Sequence, residues 1–168
     1  EAIRSLIAAD RARGQASLMT VQLQGYVAAD KNGPVDLGDP NHIANRFRQV
    51  VYQKGAAFTA TPSTADGSVY MDEFLWALRG KFAGDIYADP STPTFVSLDN
   101  EPDLWFATHK DIQPTPMAPA DFIQRTIALS RSLKTLDPSV QLFGPVNYGL
   151  YGMTTFQGAA GYDLNPWF

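Results

Sequence analysis

Thr94-Phe95-Val96-Ser97-Leu98 is a largely apolar run that breaks off abruptly into Asp99-Asn100-Glu101-Pro102. Phe95, Val96 and Leu98, set behind the turn residues Pro90, Ser91 and Pro93, predict a buried strand. Pro102 stops it, because proline has no N–H with which to continue a ladder. A strand that turns polar only at its end carries two carboxylates and an amide to the edge of a sheet. In parallel α/β folds the C-terminal strand edge is where ligands and chemistry sit. The same four residues also fit a plain polar turn, so the rest of the chain has to decide between the two.

Helical and strand periods alternate around this run. Glu1 to Arg13 predicts a helix, with Ile3, Leu6 and Ile7 on one face and Gly14 as its stop. Ser17 to Val27 predicts a strand through Leu18, Met19, Val21 and Leu23. Tyr26 lies near its C-terminal end, facing a cleft or packing. Ala28 to Val69 is far longer than an ordinary strand-to-helix connection. Within it, Asn32-Gly33-Pro34 and Gly38-Asp39-Pro40 signal turns, Pro40 to Val51 reads as a short helix, and Lys54-Gly55 and Thr61-Pro62-Ser63 read as loop. Tyr70 to Phe82 is helical by its spacing of Tyr70, Phe74, Leu75, Leu78 and Phe82. Acids Asp72 and Glu73 suit the positive end of its dipole. Phe106 to Pro119 reads as a second long loop, Ala120 to Leu136 as a helix, and Val140 to Pro145 as a short strand. Asn147, Tyr148, Tyr151 and Met153 then follow at a strand edge. Strands joined through helices imply right-handed βαβ units and a parallel sheet, hence an α/β fold. Periodicity alone allows a doubly wound sheet as readily as a barrel.

Composition narrows the function. The net charge of −4 is spread without blocks, which argues against nucleic acid or an anionic membrane as partner. No apolar run approaches the roughly 18 residues of a membrane span. With no cysteine there is neither a disulfide nor thiolate chemistry. That fits a reducing compartment or a secreted enzyme without bridges. Asp30, Asp36, Asp39 and Asp66 offer hard oxygens of the kind a structural Ca²⁺ takes. Their spacing matches no compact calcium loop, so solvated loop carboxylates are the preferred reading and no cofactor is expected. His42 and His109 lie too far apart in sequence to suggest zinc. Neither a Gly-rich phosphate loop nor a Gly-x-Ser-x-Gly elbow occurs.

Ser97-Leu98-Asp99-Asn100-Glu101-Pro102-Asp103-Leu104-Trp105, running into Thr108-His109-Lys110-Asp111, resembles the acid/base segment of glycoside hydrolase family 44. Lys54-Gly55-Ala56-Ala57-Phe58 with Val69-Tyr70-Met71-Asp72-Glu73-Phe74, and Gly144-Pro145-Val146-Asn147-Tyr148-Gly149, resemble further stretches of it. The resemblance implies a retaining, endo-acting β-glucanase or xyloglucanase on a TIM-like (β/α)8 barrel with long βα loops. Such a barrel takes about 250 residues, and this chain has 168. It starts within a helical pattern and stops at Asn165-Pro166-Trp167-Phe168. Residues 1–168 are therefore expected to be a partial catalytic domain, from about the second helix to past the fifth strand, within a larger enzyme.

By the same resemblance Glu101 is the general acid/base, and Asn100 holds the 2-hydroxyl of the sugar being cleaved. Successive strand residues point opposite ways, so both reach the cleft only if the strand loses its form here. Trp105 and Tyr148 are the candidates for stacking on a sugar face; Trp105 also fits a core position under the loop. His109 is expected to orient Glu101 or the loop, or to be structural. The nucleophile of the family lies on a later strand, beyond Phe168. Asp99 and Asp103 are poor substitutes, being too close to Glu101 in sequence to face it across a sugar. The segment alone is expected to be inactive. The expected partner is a β-glucan polysaccharide, the expected state a monomer, and the expected location extracellular, since the polymer cannot enter a cell. The alternatives are another retaining barrel glycosidase, of mannanase or xylanase type, and a non-catalytic carbohydrate-binding protein.

Overall fold

The structure, a computed structural model, describes residues 1–162. It begins with α1 (Ala2–Ala12), which carries Ile7 into the core, and β1 (Ser17–Val21). The insertion that follows holds β2 (Tyr26–Ala28), the short α2 (His42–Arg46), β3 (Phe47–Val51) and β4 (Ser68–Tyr70). Next come α3 (Met71–Arg79), β5 (Thr94–Leu98), a 3-10 turn (Pro102–Leu104) and α4 (Trp105–Thr108). The described chain finishes with α5 (Pro119–Leu136), β6 (Leu142–Phe143) and α6 (Gly149–Thr155).

The main sheet has the order β1-β5-β6 and is parallel throughout. Ser17 to Val21 stand opposite Thr94 to Leu98 residue for residue, and Val96 and Ser97 stand opposite Leu142 and Phe143. The α/β class with a parallel sheet follows from this arrangement. Side chains alternate as the pleat requires. Met19, Val21, Val96 and Leu98 point into one core with Ile7, Leu75, Leu78, Leu129 and Leu133 from the helices. Burying each such leucine contributes about 1.5–3 kcal/mol. The opposite face carries Leu18, 54% exposed, and Phe143, 48% exposed, with Phe95 edge-on to Phe143 at 5.2 Å. Gly144 lets the end of β6 lie close to β5: its φ is +95°, and a Cβ there would stand 3.3 Å from Ser97 Oγ.

The structure corrects several sequence expectations. The strand expected over Ser17–Val27 is two strands in two sheets, because the Leu23 and Gln24 amides turn away to the Asp99 carboxylate. Tyr26–Ala28 then runs antiparallel to Phe47–Gln49. The helix expected over Pro40–Val51 is confined to His42–Arg46. Phe47–Val51 is a strand, since β2 on one side and β4 on the other satisfy its backbone. The loop expected from Phe106 starts with helix α4, anchored by the buried Trp105. The strand expected over Val140–Pro145 keeps its ladder only at Leu142–Phe143, and Gly149–Thr155, unassigned from sequence, is helical. The Asn165-Pro166-Trp167-Phe168 end lies outside the described residues.

Candidate active site

The C-terminal end of β5 leaves strand geometry at once. Asp99 is 6% exposed with φ +63°, and its carboxylate accepts the amides of Leu23 at 2.6 Å, Gln24 at 3.0 Å and Asn100 at 2.8 Å. A short side chain that bonds its own backbone makes the left-handed region tolerable for Asp. Burial pushes the Asp99 carboxyl above the usual range, while those amides and the nearby His109 pull it partly back. Asn100 bridges to Val146, and Glu101 (φ +48°) donates its N–H to the Val146 carbonyl at 2.6 Å. The Glu101 carbonyl accepts the Leu104 N–H at 2.9 Å and so starts the 3-10 turn. A left-handed glutamate is unusual and persists only where its surroundings over-determine it. With Asp99 and Glu101 both left-handed, strand alternation lapses, as Asn100 and Glu101 require if they are to share one cleft. Glu101 is half-buried, and its carboxylate makes no hydrogen bond or ion pair among the described residues.

The other candidates fall in three places. Tyr148, 58% exposed, stands two residues past Val146 at the end of the β6 segment, beside the Glu101 turn. Trp105 is only 2% exposed, and its indole N–H donates to the Asn100 carbonyl at 3.0 Å. It offers no free face to a sugar: of its two readings, the packing one fits, and it holds Asn100 from beneath. His109 is exposed and its ring makes no hydrogen bond among the described residues, while its N–H caps α4 on the Trp105 carbonyl at 2.7 Å. Tyr26 is half-buried at the start of β2, opposite Gln49 in the second sheet. Asp103 is fully buried and accepts the Tyr148 N–H and the Gln157 amide.

Two further polar clusters were not legible from the sequence. His42 points Nδ1 at the Asp39 carbonyl, 2.8 Å away, and Nε2 at the Asp111 carbonyl, 2.9 Å away. It thereby joins the insertion to the loop after α4. Those two carbonyls raise its pKa above 6.5, with the Asp39 and Asp111 carboxylates adding to the effect. Asp72 and Glu73 are 4% and 1% exposed, far more buried than a dipole role needs. Asp72 accepts the Lys54 N–H at 2.9 Å. Glu73 accepts the Lys54 ammonium at 2.6 Å and the Thr59 N–H at 2.7 Å. Burial pushes the Glu73 carboxyl up, but Lys54 and Thr59 outweigh it and leave the group below its usual value. The Lys54–Phe58 and Val69–Phe74 stretches are therefore one unit, in which the loop is tied to the start of α3.

The loop acids are engaged locally. Asp30 pairs with Arg46 at 2.8 Å, Asp36 accepts the Gly38 amide and Asp39 the Asn41 amide, and Asp66 accepts the Ser68 amide and Tyr70 hydroxyl. Among the described residues no group of three or more His, Asp or Glu side chains is placed to hold a metal.

A free glutamate at the C-terminal edge of a parallel sheet is what the sequence resemblance leads one to look for. The model of glycoside hydrolase family 44 matches residues 2–167. The chain belongs to glycoside hydrolase family 44. It is 39% identical over 152 residues to endoglucanase A of Paenibacillus lautus, covering 89% of this chain and 21% of that protein. It is 38% identical over 146 residues to the beta-mannanase/endoglucanase A of Caldicellulosiruptor saccharolyticus, covering 85% of this chain and 10% of that one. The fold matches a Paenibacillus polymyxa xyloglucanase of family 44, solved with xyloglucan, at a TM-score of 0.86 and 34% identity. That match covers 95% of this family 44 chain and 31% of the xyloglucanase. The chain thus spans about a fifth or less of the curated relatives' length.

Proposed function

We propose that this chain is the acid/base-bearing part of a (β/α)8 barrel in a retaining, endo-acting glycoside hydrolase that cleaves β-1,4-glucan or xyloglucan. The observation that carries the reading is Glu101: an unpaired carboxylate held in a left-handed turn at the C-terminal edge of the parallel sheet, between Asn100 and the Tyr148 segment. Family membership and relatives named endoglucanase and xyloglucanase support the substrate class. The barrel reading draws on the sheet itself. Helices α1, α3 and α5 share one core on one face of the sheet. The other face keeps Leu18, Phe95 and Phe143, apolar side chains of the kind that fill a barrel interior. A doubly wound sheet would need helices on both faces.

In this mechanism Glu101 first protonates the glycosidic oxygen and later removes a proton from the attacking water. Its partner is a carboxylate roughly 5 Å away that forms the glycosyl–enzyme bond. By the family pattern that nucleophile lies on a later strand outside this chain; Asp99 and Asp103, both buried among amide donors, do not offer it here. Asn100 hydrogen-bonds the 2-hydroxyl, Tyr148 stacks on a neighbouring sugar, and His109 borders the cleft. Residues 1–168 form a partial catalytic domain. The two-carboxylate reaction needs no cofactor, and a polymeric substrate places the enzyme outside the cell.

Reducing-end release from xyloglucan and mixed-linkage β-glucan by the full-length enzyme, with Glu101→Gln beside it, tests the reading. The variant is expected to lose roughly two to four orders of magnitude in kcat. Undiminished activity would move the acid/base elsewhere. Absence of hydrolysis by the full-length protein would favour a carbohydrate-binding role instead. A second substrate class is kept in the panel because one relative is named a beta-mannanase/endoglucanase: mannan cleaved faster than glucan would shift the assignment to a mannanase.

A further inference from the structure

We infer that Asp103 is a positioning residue that, together with Gln157, sets Tyr148 beside Glu101 for sugar binding; the inference rests on the glycosidase reading above. Three successive links lace residues 100–103 to residues 146–148. Asn100 bridges to Val146, the Glu101 N–H donates to the Val146 carbonyl at 2.6 Å, and the Tyr148 N–H donates to the Asp103 carboxylate at 3.1 Å (Oδ1) and 3.3 Å (Oδ2). The first two links are backbone to backbone and any sequence could make them. The third needs a carboxylate.

Asp103 is 0% exposed, so its charge has to be met by donors from the protein itself. Gln157 supplies the rest: its Nε2 donates to Asp103 Oδ2 at 2.8 Å and also to the Tyr148 carbonyl at 3.1 Å. Asp103, the Tyr148 backbone and the Gln157 amide close a ring of hydrogen bonds that fixes both polar groups of the Tyr148 main chain. The Tyr148 side chain stays 58% exposed, and its hydroxyl has no partner among the described residues. The ring is tightly enclosed. Gly152 packs so near that a Cβ added to it would collide with Asp103 Oδ2, and Asn147 Nδ2 donates to the Gly152 carbonyl at 2.9 Å. A buried carboxylate spent on aiming the backbone of an exposed aromatic, two residues after the free glutamate, is more than the packing of α6 requires. It couples the place where the leaving sugar is protonated to the place where a sugar ring stacks.

The test is a double-mutant cycle in the full-length enzyme with xyloglucan oligosaccharides, reading kcat and KM separately. Asp103→Asn keeps the size but turns an amide donor toward the donors of Tyr148 and Gln157. It is expected to raise KM about tenfold while kcat changes by less than about threefold, the signature of lost uniform binding. Tyr148→Ala is expected to raise KM by a similar factor, and Asp103→Asn in that background is expected to add nothing further. Additive effects in the cycle would overturn the inference, as would a fall in kcat without a rise in KM. Should Asp103→Asn fold poorly, Gly152→Ala displaces the same carboxylate and Gln157→Ala opens the ring, and both are expected to raise KM only when Tyr148 is present. If Tyr148→Ala alone leaves KM unchanged while Glu101→Gln abolishes activity, the glycosidase reading stands and the positioning role is refuted. If the full-length protein hydrolyses nothing, the glycosidase reading itself fails and takes the positioning role with it.

Discussion

His42 shows how one side chain can carry a pH dependence through geometry alone. Its two ring nitrogens face two carbonyl oxygens, and only the imidazolium donates to both; the neutral ring must turn a lone pair toward one of them. The folded pKa is therefore raised above 6.5. The stabilisation is fully present below that unfolded value and is lost as pH rises through the folded one. The difference in thermal midpoint between the native enzyme and His42→Ala is expected to be larger at about pH 5 than at about pH 8. A difference that stays constant with pH would show that the neutral ring holds the latch as well as the imidazolium does. Asp99 makes the complementary point. A buried carboxylate near Glu101 suggests a second catalytic group, yet its three amide donors identify it as the clamp joining the end of β1 to the end of β5.

At the level of elements, the start of α3 and the loop before it behave as one piece. Asp72 and Glu73 read from sequence as first-turn acids, which is a surface role. Their burial at 4% and 1% and their hold on Lys54 and Thr59 make them the anchor of the 54–59 loop. Lys54→Met removes the cation from Glu73 and is expected to cost about 1–3 kcal/mol, seen as a lower urea midpoint. An unchanged midpoint would mean that the Thr59 donors suffice alone. Because the Glu73 pKa is depressed below 4.5, its contribution is present above that value and disappears as pH falls through the folded one. The acid side of the stability profile is accordingly expected to flatten in Lys54→Met. Helix α5 needs no such rescue: its expected and observed bounds differ by one residue, because Leu129, Leu133 and their neighbours follow the helical period onto a single buried face.

For the whole molecule, the parallel β1-β5-β6 sheet holds the Glu101 turn at its C-terminal edge; under the proposed two-carboxylate mechanism the second carboxylate comes from residues outside this chain. Residues 1–168 alone, freed of contaminating hydrolase, are expected to release no reducing ends from β-glucan, and the full-length protein is expected to release them; turnover by the segment would place a nucleophile within it. The sequence by itself determined the βα alternation, the long α5, the run that ends at Glu101 and the kinship to its family. Those signals are local: apolar period, proline stops, and a motif of contiguous residues. Only the tertiary structure decided that Leu23 and Gln24 leave β1 for Asp99, that Trp105 lies beneath Asn100 without a face for sugar, and that His42 rather than His109 ties the loops. Each depends on which distant backbone group lies within about 3 Å, the reach of a hydrogen bond. Sequence spacing does not encode that distance, because residues 75 positions apart, such as Gln24 and Asp99, meet only once the sheet has formed.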